Sequence, residues 1–95
     1  MNKESFEWDT VKDIENQLKH GVSFKDAQYA FKDPNRIFVI DENHSDVEIR
    51  YFCFGKVFDN VMTVRFTIRK SVFRIIGAGF WRKGKKIYEE KNKIY

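Results

Sequence analysis

The hydrophobic period of this chain changes near residue 35, and that change constrains the fold more than any other feature. Before it, apolar residues recur at helical spacing. After it, they alternate with a period of two, interrupted by short turn sequences. Asp9 suits the N-cap of a helix over 10–20, on which Val11, Ile14 and Leu18 form one apolar stripe, and Gly21 suits its left-handed stop. Ser23 with Asp26 opens a second, short helix that buries Phe24, Ala27 and Phe31. Asp33-Pro34 ends it, because proline disfavours the helical conformation in the residue before it.

The spacing then predicts strands over 36–40, 47–55, 61–69 and 72–79, with hairpin turns at Asp59-Asn60 and Lys70-Ser71. A last helix is expected over 82–93, with Ile87, Tyr88, Ile94 and Tyr95 on one side and Gly84 weakening its first turn. The expectation is a single α+β domain over 1–95: two N-terminal helices, an antiparallel four-stranded meander and a C-terminal helix.

Charge is divided unevenly along the chain. Residues 1–48 hold six Lys/Arg against eleven Asp/Glu; residues 49–95 hold twelve against three. A basic half of this kind suits a polyanionic partner. The single cysteine, Cys53, excludes an internal disulfide and fits a reducing cytoplasm. No apolar run approaches the length of a membrane span, so no membrane association is expected. No cluster has metal-ligand spacing, and no cofactor is expected.

Two-residue turns fix a register. Arg50 then lies opposite Arg69, Phe52 opposite Thr67, Phe54 opposite Arg65, and Thr67 opposite Arg74. Opposed residues share a face, so Arg50, Arg65, Thr67, Arg69 and Arg74 project to one side. Tyr51, Cys53, Met62, Val64, Phe66, Ile68, Phe73 and Ile75 fall on the other, as a core. Four arginines on one face repel one another unless they meet an anion or are neutralised by N-terminal acids such as Glu48 or Asp13. Phe52, Phe54, Val61, Val72 and Ile76 share that face, so the last helix is expected to cover half of it.

Arginine fits RNA scission because attack of a ribose 2′-hydroxyl on its phosphate builds charge on the non-bridging oxygens. A guanidinium offers planar paired donors to them and stays charged. Arg65, Arg69 and Arg74 are the candidates. His44, in the polar segment Asp41-Glu42-Asn43-His44-Ser45, is a candidate for proton transfer or phosphate contact, and equally an ordinary turn residue. His20 suits the C-terminus of the first helix. Arg82, Lys83, Lys85 and Lys86, with Arg50 and Thr67, are candidate RNA contacts. The basic cluster also reads as a solvated face. Phe80 and Trp81 suit base stacking or core packing. Trp8 reads as core, and Asn16 and Lys19 as polar-face residues with capping, ion-pair or RNA roles.

The opening run F-E-W-D-x-x-K-x-x-x-N-x-x-K-H-G-V-S-F, over residues 6–24, resembles the start of the BrnT family of ribonuclease toxins of bacterial type II toxin–antitoxin systems. Physically it reads as strand end, helix, glycine stop and new helix. The resemblance continues through Asp33-Pro34, His44-Ser45, Glu48 with Arg50, Gly55, Thr67 with Arg69, and Arg74-Ile75-Ile76. It implies a RelE-like fold and a toxin that cleaves RNA and slows translation. It also implies a small ribbon-helix-helix DNA-binding antitoxin with which the toxin forms a hetero-oligomer. The family then reads S-A-R and a helix rich in Arg and Glu. Here Gly77-Ala78-Gly79 stands instead, so the arginine expected at 79 and the early glutamate are absent. Two consequences are open: Arg82 or a nearby lysine substitutes, or the chain is a catalytically weak or inactive module that grips RNA or its antitoxin. A third reading is a structural partner whose basic face docks an acidic antitoxin segment.

Overall fold

The computed structural model describes residues 5–94. Its elements run β1 (Phe6–Trp8), α1 (Thr10–His20), α2 (Phe24–Ala27), a 3₁₀ helix (Gln28–Lys32), β2 (Ile37–Ile40), a 3₁₀ turn (Glu42–His44), β3 (Arg50–Val57), β4 (Asn60–Arg69), β5 (Val72–Gly79) and α3 (Arg82–Lys91). The strands form one mixed sheet in the order β1-β5-β4-β3-β2. The α+β class and the β2-to-β5 meander match expectation. The count of four strands does not: β1 is a fifth, parallel to β5, with Phe6 opposite Phe73 and Trp8 opposite Ile75. Three residues are too few to show a period, and their partner lies more than sixty residues away.

Local chemistry explains the helix ends. The Asp9 side chain accepts from Lys12 N, and Gly21 takes the left-handed conformation with φ 67°. Ser23 caps α2 by accepting from Asp26 N. Phe24, Ala27, Ala30 and Phe31 are buried against one sheet face, with Cys53, Val64, Phe66 and Ile75. The Phe31 ring lies 5.0 Å from Phe6 and 4.9 Å from Phe66, both edge-on. The other face receives α3, through Tyr88 and Ile87 against Phe54, Val61 and Phe52. Ile94 is exposed beyond the helix end, and Tyr95 lies outside the described residues.

Register differs from expectation in two places. The β3–β4 turn is Phe58-Asp59, both at positive φ, rather than Asp59-Asn60. Pairing shifts by two residues, so each side chain keeps its face but changes its neighbour. Arg50 lies opposite Thr67, Phe52 opposite Arg65 and Phe54 opposite Thr63. The expected Arg50–Arg69 opposition is thereby avoided. This register also buries Val57 and leaves Phe58 outside. Lys70-Ser71 turns as expected, but a bulge at Ile76 places Gly77 opposite Arg65 and Gly79 opposite Thr63.

Gly84 is there for close approach. A Cβ on it would collide with Thr63 Oγ1 and reach within 2.9 Å of the Phe54 ring. Gly84→Ala is therefore expected to lower the melting temperature, although alanine favours an isolated helix by about 1 kcal/mol. A thermal melt showing stabilisation would refute that reading.

Asp33 ties three elements together. Its carboxylate accepts from Tyr88 Oη at 2.6 Å, Lys56 N at 2.8 Å and Asn35 N at 2.8 Å. Burial acts to raise its pKa, but these donors and the Lys56 charge together outweigh it and hold Asp33 below the usual carboxylate value. Burial and the Asp33 bond push Tyr88 up to about 12. Asp33 therefore contributes stability at neutral pH that is lost as pH falls through its depressed pKa. Tyr88 contributes stability present below pH 10.0 and lost as pH rises through about 12. Tyr88→Phe should cost about 1–3 kcal/mol near neutrality and flatten that alkaline loss, as denaturant melts at several pH values would show.

Candidate functional site

A cleft of about 1010 Å³ opens on the arginine-bearing sheet face, between α1 and α3. One wall is α1, presenting Lys12, Glu15, Lys19 and His20. The opposite wall is the start of α3, with Trp81, Lys83 and Ile87. The floor is Phe52, Arg65 and the Ile76–Ala78 stretch, and Asp41–Asn43 form the rim. A Cβ on Gly77 would meet only Asn16 Oδ1, at 3.9 Å, so the floor is open above it.

Asn16 fixes the α1 wall. Its amide nitrogen donates to Val22 O and Ala78 O, both at 2.9 Å, and its oxygen accepts from Ala78 N at 3.1 Å. β1 pairs with β5 only as far as Ile75. Asn16 therefore stands in for a strand, satisfying backbone groups that the short β1 does not reach. It is one of the few buried polar residues. Asn16 lies on the polar side of α1 as expected, but that side faces the protein.

Asp41 fixes the rim. Its carboxylate is buried, 3.0 Å from His44 Nδ1 and 3.4 Å from Arg65 Nε. A carboxylate can only accept, so Nδ1 carries the hydrogen and Nε2 is left as the acceptor of a neutral ring. The Arg65 contact is within ion-pair range but is not aligned as a hydrogen bond. The Arg65 guanidinium also lies over the Phe52 ring, 5.7 Å from its centre. The segment around Asp41 is no loose loop. Ser45 Oγ donates to Asp41 O at 2.6 Å and accepts from Arg50 N at 3.1 Å.

Arg65 and His44 thus meet at one carboxylate on the cleft rim; Arg65 lines the cleft, and His44 lies just outside its lining. The other arginines do not join them. Arg69 is clamped by Glu48 through two bonds of 2.9 and 3.1 Å, and Arg74 pairs with Glu7 at 2.9 Å. The bond from Arg69 comes first in holding Glu48 below its usual pKa, with the charges of Arg69, Arg50 and Arg74 adding to it against desolvation. N-terminal acids thus pair with two of the four arginines, as one reading of that face allowed for Glu48. Thr67, a candidate RNA contact, is buried and donates to Ile49 O at 2.7 Å. Arg50, opposite Thr67, is half-buried and lies outside the cleft. Of the basic cluster, Lys83 lines the cleft; Arg82, Lys85 and Lys86 are exposed outside it.

Sequence reasoning passed over Asp41 and Lys12 and gave His20 a helix-end role. A signal was present. Positions 12, 16, 19 and 20 are spaced i, i+4, i+7, i+8, one helical face, and the structure turns that face to the cleft. The His20 ring meets Trp81 edge-on at 5.0 Å. Trp81 in turn covers Gly79, where a Cβ would approach its ring to 2.5 Å. At the N-terminus of α3, Trp81 provides no side-chain cap. Among the described residues, no three His, Cys, Asp or Glu side chains gather where they could hold a metal ion.

A family profile described as "Ribonuclease toxin, BrnT, of type II toxin-antitoxin system" matches residues 8–84, from the β1 tryptophan to the buried glycine of α3. The chain belongs to the BrnT family. No curated protein matches it closely enough to count as a relative. Membership makes this BrnT chain a ribonuclease toxin by family, with a cognate antitoxin and an RNA target. The matched span contains every wall of the cleft except Ile87. Among the described residues, no helix is long and apolar enough to cross a membrane.

Proposed function

We propose that this BrnT chain is an endoribonuclease that binds single-stranded RNA in the cleft, cuts it without a metal ion, and so inhibits translation in the cytoplasm. The observation that carries the reading is the meeting of Arg65 and His44 on buried Asp41, at the rim of a cleft lined by Arg65, Lys12, Lys19 and Lys83. The 2′-hydroxyl attacks its own phosphate; the O2′–P bond forms and the P–O5′ bond breaks, giving a 2′,3′-cyclic phosphate and a 5′-hydroxyl whose proton comes from water. His44 Nε2 takes the hydroxyl proton. Arg65 stabilises the charge on the non-bridging oxygens. Lys83 holds a neighbouring phosphate, and Trp81 offers a stacking surface.

Purified protein is expected to cut RNA in the presence of EDTA. Activity that appears only after a divalent ion is added would overturn the metal-free mechanism. About four cationic contacts predict a slope near −3 in log K against log salt on single strands. A flat response in a filter-binding series would remove the electrostatic part of the reading.

One observation favours a second reading, a weak or inactive module that binds RNA or its antitoxin. Position 79 is sealed beneath Trp81, so no cationic side chain occupies the place where the family resemblance expects an arginine. Tight RNA binding by a protein with no detectable cleavage would select this reading.

A further inference from the structure

Helix α1 is amphipathic the wrong way round for a monomer. Val11, Ile14 and Leu18 are 63%, 53% and 83% exposed, while Asn16 is 7% exposed. At about 100° per residue, the stripe lies diametrically opposite Asn16 and points straight away from the sheet. An apolar stripe at helical spacing ordinarily packs against the core. Here α1 is attached by polar bonds instead: those of Asn16, and the Asp13 carboxylate accepting from Phe24 N at 2.9 Å. The fold makes no use of the stripe.

We infer that this stripe is the seat of the cognate antitoxin, which lays an amphipathic segment with an acidic flank along α1. The inference rests on the toxin–antitoxin reading of the family. Two features select this occupant. The first is area. Two copies pairing through three side chains each would bury a few hundred Å² per copy, short of the roughly 800 Å² per partner of a stable interface. A partner that continues from the stripe over the adjoining cleft wall covers more. The second is charge. Lys12 and Lys19, with Glu15 on the same wall, stand on the cleft side of the same helix, and Lys83 faces them across the opening, so the cations outnumber the acid. Acids along one edge of the bound segment meet these cations. Seated this way, the antitoxin occupies the anion-binding wall and excludes RNA, so one helix serves both recognition and inhibition.

The test uses the full chain carrying Ile14→Glu and Leu18→Glu, with its cognate antitoxin as the probe. Both positions are exposed and lie outside the cleft, so the melting temperature and RNA cleavage should match the unsubstituted protein. Affinity for the antitoxin should fall about 100-fold or more in calorimetry, because buried apolar anchors dominate such interfaces. Co-produced antitoxin should no longer relieve growth arrest. Antitoxin binding at unchanged affinity overturns the inference. So does a dimer of the unsubstituted protein in sedimentation that the substitutions dissolve while antitoxin affinity stays the same. Loss of antitoxin binding in a chain that never cuts RNA supports the docking surface and removes only the catalytic reading.

Discussion

Arg65→Ala should lower RNA cleavage by about 10²-fold or more, the scale of removing one group that stabilises a developing oxyanion. Arg65 lies in the cleft floor with its buried Nε against Asp41 and makes no hydrogen bond among the described residues, so its terminal nitrogens remain for a phosphate. Stability should fall modestly, because Asp41 keeps its contact with His44 but loses its arginine partner. Adding Asp41→Asn removes the uncompensated charge and should restore the melting temperature without restoring cleavage. Arg65→Lys should rescue only in part, since an ammonium cannot fork across two oxygens. Arg69→Ala and Arg74→Ala form the contrast. Each removes an ion pair, to Glu48 or to Glu7, and cleavage should fall less than about tenfold, well below the loss assigned to a transition-state donor. A folded Arg74→Ala protein with no activity would move the site off the cleft.

Asn16→Ala should be the most damaging single change to the fold. It strands Val22 O and both backbone groups of Ala78, all buried. Each unsatisfied buried group costs about 1–3 kcal/mol, so a total loss of about 3 kcal/mol or more is expected in urea denaturation. Asn16→Asp should also destabilise, because a carboxylate cannot donate to Val22 O or Ala78 O. Since Asn16 also holds α1 against the cleft, RNA binding should weaken before global unfolding. An Asn16→Ala protein of unchanged stability would mean that β5 does not depend on this side chain.

Much of this molecule was legible in the sequence because the relevant physics is local. Capping at Asp9 and Ser23, the left-handed stop at Gly21 and the break at Asp33-Pro34 each depend on a few neighbouring residues, and each element begins or ends there. The two-residue period sorted side chains between sheet faces correctly even though one hairpin slipped, since a slip of two preserves the face. The family resemblance was legible for the same reason: its motifs are short and fixed in spacing.

What only the tertiary structure decided involves partners far apart in the chain. β1 exists because β5 is beside it, and three residues alone do not specify a strand. The arginines looked equivalent on one face until Glu7 and Glu48 claimed Arg74 and Arg69, leaving Arg65 with Asp41 and the cleft. The apolar stripe of α1 was visible, but its direction was not. Asn16 bonds to Ala78 across 62 positions and turns the helix polar side in. Sequence periodicity reports that a helix has two faces; which face meets the protein depends on the strongest contact available, and here that contact is a buried amide.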